Sequence, residues 1–213
     1  MLEIPSTSVQ QGSTMSMMEE FIEAGAILKG HFILSSGLHS DTYIQCARLL
    51  MDPVRAERAC KQLAEKIHAE LSHIDFDIIV APAMGGVVVG YEMGRQLSCE
   101  TMFCERVDGE FALRRGFSMM QGAKVLVVED VVTTGKSSLE TFECVTANGG
   151  IVVAEAALID RRGSTASPLG VPLVALLTLE VPAFDANALP AYLASIPAIK
   201  PGSRFFQPLP NEA

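Results

Sequence analysis

Between residues 129 and 137 the chain reads Glu129-Asp130-Val131-Val132-Thr133-Thr134-Gly135-Lys136-Ser137, placing two adjacent carboxylates just before a cluster of hydroxyls, a glycine and a lysine. Paired carboxylates are natural acceptors for the hydroxyls of a sugar and are able to approach a bound Mg²⁺. A Thr-Thr-Gly-Lys-Ser run that opens a helix offers backbone N–H groups and side-chain hydroxyls to a phosphate monoester. Sugar hydroxyls at the acids and phosphate at the hydroxyls together describe a ribose 5-phosphate. Gly135-Lys136-Ser137 also mimics the end of a nucleotide-binding P-loop. That motif needs a further glycine five residues earlier, where this chain has Asp130. The bland alternative is a strand ending in two acids, followed by a Thr/Ser-capped helix.

Such a loop works only if a strand delivers it and a helix receives it. Lys124-Val125-Leu126-Val127-Val128 is an almost wholly apolar strand, and Lys136 to Ala147 reads as a helix with Leu139, Phe142 and Val145/Thr146 inward. The same rhythm surrounds it. Phe76 to Ala81 is a strand leading into Pro82-Ala83-Met84-Gly85-Gly86, a helix runs to about Leu97, and Thr101 to Cys104 is a strand. Ile151 to Leu158 is another, leading to Asp160-Arg161. Apolar strands alternating with amphipathic helices predict a mostly parallel twisted sheet covered on both faces, an α/β fold. Ligands then bind beyond the carboxyl ends of the strands, where 81–86, 129–137 and 160–163 fall. Arg106 to Gly116 is expected to be a charged loop, a mobile flap between two strands, with an ordinary hairpin bearing solvated arginines as the bland alternative.

Earlier in the chain, Met15 to Leu28 suits a helix with Met18, Phe21, Ile22 and Gly25 on one side. Two β-prone runs flank Ser35-Ser36-Gly37, and Pro53 opens a helix whose buried face is Ala56, Ala59, Cys60, Leu63, Ile67 and Leu71. Residues 1–14 read as a loose tail. One domain over 15–213 is expected: N-terminal elements to 52, a core over 53–180 and a C-terminal extension over 181–213.

Composition narrows the classes. The net charge of −9 opposes general binding to nucleic acid or an anionic membrane, so an anionic ligand must be held locally. The five cysteines form no C-x-x-C pair, which favours buried reduced thiols over a disulfide framework or zinc site. No secretory signal and no membrane span stand out, so the expected location is cytoplasmic.

The segment 126–137 resembles the phosphoribosyl pyrophosphate signature of type I phosphoribosyltransferases. Gly30-His31-Phe32-Ile33-Leu34-Ser35-Ser36-Gly37-Leu38-His39-Ser40, with Tyr43, resembles the base-covering segment of the orotate phosphoribosyltransferases. Phe103-Cys104-Glu105-Arg106, Leu113-Arg114-Arg115-Gly116-Phe117 and Lys200-Pro201-Gly202-Ser203-Arg204 are similar to the Thermus-type subgroup of that family. The resemblance implies a type I phosphoribosyltransferase fold, with a small hood from the N-terminal region and the C-terminal tail.

The resemblance also implies roles. Glu129 and Asp130 hold the ribose hydroxyls, with Val131 and Val132 leading to Thr133, Thr134, Gly135, Lys136 and Ser137 at the 5′-phosphate. Met84 and Gly85 lie beside the pyrophosphate. Thr133 and Arg161 meet orotate, Arg161 at its carboxylate. Mg²⁺ is held mainly by substrate oxygens, with Asp130 the candidate protein ligand. Glu129, Asp130 and Arg106 are the implied catalytic groups, Arg106 reaching pyrophosphate from a mobile loop in a homodimer. The implied reaction joins orotate to phosphoribosyl pyrophosphate, giving orotidine 5′-phosphate and pyrophosphate in pyrimidine (UMP) synthesis. The chain departs from many relatives in having Ser35 and Gly85 where they carry lysines, and no loop histidine. The rival expectations are a purine phosphoribosyltransferase and a regulator that keeps the fold.

Overall fold

The computed structural model describes residues 15–34, 36–163 and 168–201. In chain order the elements are α1 (Met17–Glu23), β1 (Ile27–Ile33), β2 (His39–Ile44), α2 (Ala47–Leu50), α3 (Pro53–Glu70), β3 (Ile78–Pro82) and α4 (Gly86–Leu97). They continue with β4 (Thr101–Val107), β5 (Glu110–Leu113), β6 (Lys124–Val132), α5 (Lys136–Ala147), β7 (Ile151–Asp160), β8 (Leu173–Thr178) and α6 (Ala191–Ala194).

The main sheet has the order β5-β4-β3-β6-β7-β8, parallel throughout except for β5 against β4. Its central strands are apolar because both faces are covered. Leu126, Val128, Ala154, Ala156 and Leu158 pack toward α3 and α4, while Val125 and Val127 pack toward Cys144 and Val145 of α5. Helix α3 begins as its sequence predicts. Pro53 occupies the first turn and the Asp52 carboxylate accepts from the N–H groups of Val54 (2.9 Å) and Arg55 (3.3 Å). Its buried residues include Ala56, Ala59, Cys60, Leu63 and Ile67, as the spacing requires.

A second sheet forms the hood. Strands β1 and β2 are antiparallel, and the C-terminal segment clasps both. The Ile33 N–H donates to Ile199 O and the Ile199 N–H to His31 O, each at 2.8 Å, while His39 and Phe184 exchange backbone bonds of 2.8 and 2.7 Å. The hood is therefore built from both ends of the chain. Ser35 and Gly202-Ser203-Arg204, which carry part of the family resemblance, lie outside the described residues, as do residues 1–14.

Three local expectations change. Helix α1 is shorter than Met15 to Leu28, and it buries Met17, Glu20 and Phe21 while Ile22 is exposed. Gly25 at φ +67 ends that helix and turns the chain into β1. Helix α5 is rotated, burying Ser138, Thr141, Cys144 and Val145 and exposing Leu139. The Thr141 hydroxyl makes this tolerable by donating to Ser137 O at 2.8 Å. The expected loop at 106–116 is a hairpin for most of its length. Asp108 and Gly109, both with positive φ, form its turn, and Val107 pairs with Glu110.

Candidate active site

The site lies at the carboxyl ends of β3, β6 and β7. Register explains why distant residues meet there. Val132 pairs with Asp160, so Thr133 and Arg161 leave adjacent strands side by side, and the Arg161 N–H donates to Val132 O at 2.9 Å. On the other side Pro82 pairs with Cys104, which brings the 83–86 turn next to β4.

Thr133, Thr134 and Arg161 form one wall of a cavity of about 490 Å³, and Leu34, Ser36 and Tyr43 of the hood form another. The Arg161 guanidinium is partly buried, and burial lowers its pKa from the ordinary arginine value. Among the described residues it has no hydrogen-bonding or ion-pairing partner. The adjacent Asp160 carboxylate belongs to Arg162. Arg162 binds it through Nε and a terminal nitrogen, each at 3.0 Å, and also through its backbone N–H. Burial alone would raise the Asp160 pKa, but the Arg162 hydrogen bonds and charge outweigh it and hold it below the usual range. Arg162 was missed because two neighbouring arginines cannot be assigned to opposite sides from spacing in an irregular segment.

The acids sit differently from each other. Glu129 is buried, and burial, then Asp130 and Glu155, push its carboxyl up to about 9. Burial raises Asp130 too, against a hydrogen bond from the Val131 N–H at 2.9 Å. Gly85 lies against Asp130: a Cβ built there would be 2.7 Å from both carboxylate oxygens. The neighbouring Ala83–Met84 peptide is cis, and Met84 projects into solvent.

Beyond the acids, Thr133 and Thr134 are exposed, and Gly135 adopts φ +81 at the entrance to α5. That conformation favours glycine, and the space is closed as well, since a Cβ would meet Leu169 at 2.8 Å. The Thr134 hydroxyl accepts from the Lys136 N–H at 3.3 Å. Lys136 and Ser137 follow, both exposed, in the first turn, whose N–H groups lack intrahelical acceptors. The Asp130 carboxylate, the hydroxyls and the helix start thus follow one another along one rim, with Glu129 buried beneath it.

Arg106 lies near the carboxyl end of β4, on the sheet edge that carries the site. It pairs with Glu140 of α5, donates to Gly109 O at 2.6 Å and stacks 4.2 Å from the Phe111 ring centre. The structure therefore places it between hairpin and helix, linked to Lys136 of the 129–137 rim through Glu140, which pairs with Lys136 at 3.8 Å.

Among the described residues no group of three or more His, Cys, Asp or Glu is arranged to hold a metal, and no helix is long and apolar enough to cross a membrane. A carboxylate at the rim suits Mg²⁺ as a single protein ligand, leaving the other positions to oxygens of a bound phosphate ester.

A profile described as "Phosphoribosyl transferase domain" matches residues 52–176. The chain is 53% identical over 188 residues to an orotate phosphoribosyltransferase of Maricaulis maris, covering 88% of this chain and 96% of that protein. It is 55% identical to one of Rhizorhabdus wittichii, covering 88% and 95%. The fold matches the crystal structure of the Aeropyrum pernix orotate phosphoribosyltransferase with a TM-score of 0.64 at 29% identity, over 78% of this chain and 94% of that one. An adenine phosphoribosyltransferase superposes with a TM-score of 0.62 at 15% identity, so the fold by itself does not choose the base. Identity above half over nearly the full length of the orotate enzymes does choose, and the chain belongs to the orotate phosphoribosyltransferase family.

Proposed function

We propose that this chain transfers ribose 5-phosphate from phosphoribosyl pyrophosphate to orotate, releasing pyrophosphate and forming orotidine 5′-phosphate for pyrimidine synthesis. The observation that carries the reading is Arg161. A partly buried guanidinium without a protein partner among the described residues shares a cavity wall with the threonines that open the phosphate loop. Its planar pair of donors suits the orotate carboxylate, which purine bases and uracil lack.

In this reading Glu129 and Asp130 accept the ribose hydroxyls, Thr133 to Ser137 surround the 5′-phosphate, and Met84 and Gly85 border the pyrophosphate. Orotate enters under the hood, beside Thr133 and Tyr43. Mg²⁺, when bound, offsets charge on the diphosphate, with Asp130 as the protein carboxylate nearest that task. No protein nucleophile is required. The residues hold two anions in line and exclude water while the glycosidic bond changes partner. Arg106 acts from the β4–β5 hairpin on the departing pyrophosphate once it leaves Glu140. The enzyme works as a cytoplasmic homodimer, a reading supported by the exposed apolar Val88 and Tyr91 of α4, beside exposed Met84.

Arg161→Ala tests the base assignment. Orotate binding should weaken by roughly 2–5 kcal/mol, the scale for removing one side of a buried charged contact. Uracil should be a very poor substrate for the parent protein. An unchanged Michaelis constant for orotate in the variant, or comparable use of uracil, would overturn the assignment.

A further inference from the structure

Strand β7 carries a charge where its neighbours are apolar. Glu155 lies within Val152-Val153-Ala154-Glu155-Ala156-Ala157-Leu158, has no solvent exposure, and has no hydrogen-bond partner for either carboxyl oxygen among the described residues. A buried ionised carboxylate without a partner costs several kcal/mol, so such a position ordinarily holds an apolar side chain. Nothing in the reading above gives Glu155 a task.

Its location supplies one. Glu155 pairs in register with Val127, so its side chain shares the α5-facing side of the sheet with Val127 and, two residues on, Glu129. On α5 its close polar neighbour is Ser138, which is buried and sits in the first turn, one residue beyond Ser137, although the two are not in hydrogen-bond geometry. Arg162 is close enough for its charge to act on Glu155, and its Cδ lies 4.0 Å from a Cβ built on Gly135. The carboxyl therefore lies directly behind the loop and helix start that face the 5′-phosphate.

We propose that Glu155 is a positioning residue for the 5′-phosphate cradle and that it serves this role as the neutral acid. Uncharged, it fills the space behind Gly135–Ser138 and leaves the positive end of α5 to the phosphate. Ionised, it places a negative charge behind the same helix start and competes with the ligand for that field. The groups that act on it are Glu129 on β6, Asp160 on β7, Arg162 beyond it and Ser138 on α5. The Cys144 thiol, also on the buried side of α5, interacts with Cys104; Lys136, Glu140 and Glu143 lie outside that side, and β8 offers no titratable residue. Burial pushes the Glu155 carboxyl up to about 7, assisted by Asp160 and opposed by Ser138 and Arg162. The change of state thus falls near neutral pH.

The inference rests on reading 133–137 as the phosphate site, and the experiment separates the two. Ribose 5-phosphate binding to the full chain is measured by calorimetry from pH 6.5 to 8.5, for the parent, Glu155→Gln, Glu155→Leu and Glu155→Asp. Titration of the ligand itself is common to all and cancels in the ratios. Relative to Glu155→Gln, the parent should lose roughly five- to thirtyfold in affinity across that range, the effect of one buried charge at an intermediate effective dielectric. Glu155→Leu should follow Glu155→Gln, which keeps the test intact if the amide disturbs packing. Glu155→Asp should restore the dependence on pH. The same relative loss in a Glu129→Gln background would place the effect at the phosphate, not at the ribose acid. Parallel curves for the parent and the neutral variants would overturn the proposal. Thr134→Val marks the other failure: if it leaves ribose 5-phosphate affinity unchanged, the phosphate site itself is misplaced.

Discussion

At the level of single residues, Gly85 shows how a departure from the family pattern gains a physical reason. The resemblance implies a lysine there, whereas here a Cβ would lie 2.7 Å from both oxygens of the Asp130 carboxylate. The obstacle is the end of a side chain, which is able to swing away. Gly85→Ala should therefore fold normally, with a melting temperature within about 2 °C of the parent, while Asp130 is displaced and transfer falls at least about tenfold. Gly94→Ala is the contrasting case. Its Cβ would meet Cys99 O at 2.8 Å and crowd the Thr101 hydroxyl, neither free to leave, so stability should drop by roughly 1–3 kcal/mol. Thermal melts with initial rates for both variants check the pair; a stable, fully active Gly85→Ala would remove Asp130 from the working site. The sequence announced Asp130 through its neighbours, because phosphate and sugar chemistry are concentrated in nine consecutive residues. It did not announce the contact with Gly85, 45 positions earlier, because that contact exists only once β3 and β6 are paired.

At the level of elements, the hairpin β4–β5 is where legibility was poorest. Charge and glycine suggested a loop with a hairpin as the alternative; Asp108-Gly109 is a hairpin turn, and Phe111 and Leu113 pack against the α5 side of the sheet. By contrast, α3 and the central strands were legible from apolar spacing because burial alone fixes them. Helix α5 was legible in extent and in part of its phase: Phe142 and Val145 face inward as expected, but inward positions 138 and 141 carry hydroxyls, which a search for apolar residues passes over. The hairpin now gives Arg106 two separable roles. It anchors the hairpin through Glu140 and Phe111, and it is the cation proposed for the departing pyrophosphate. Arg106→Ala removes both, while Glu140→Ala removes one anchoring contact, together with the Glu140 pair to Lys136, and leaves the Arg106 side chain in place. If the catalytic role is real, Arg106→Ala lowers kcat by at least about tenfold with a smaller change in substrate affinity, and Glu140→Ala leaves kcat within about twofold. Equal losses in the two variants would leave Arg106 only the anchor.

At the level of the whole molecule, function and stability meet in the carboxyls beneath the phosphate loop. The sheet brings Glu155 within electrostatic reach of Glu129, and burial raises both. For Glu155 the sign is fixed by the order of titration. Its ordinary value is 4.5 and its value in the fold is about 7, so the unfolded chain loses this proton first. Below about pH 4.5 both states keep the proton and no penalty arises. Between about 4.5 and 7 the folded state binds more protons than the unfolded one, so this group's contribution to stability falls as pH rises, levelling off above 7. The integrated loss is on the order of 3 kcal/mol, from the gap between 4.5 and about 7 at about 1.36 kcal/mol per pH unit. Depressed acids such as Asp160 act in the opposite direction and at lower pH, which makes the difference between parent and variant the quantity to follow. Urea unfolding of the ligand-free protein should show Glu155→Leu gaining on the parent from pH 5 to pH 8, with little further gain at pH 9. A constant difference across that range would mean that Glu155 keeps one protonation state throughout. Saturating ribose 5-phosphate should stabilise the parent less at pH 8 than at pH 6.5, relative to Glu155→Leu, because ligand and ionised Glu155 compete for the same helix end.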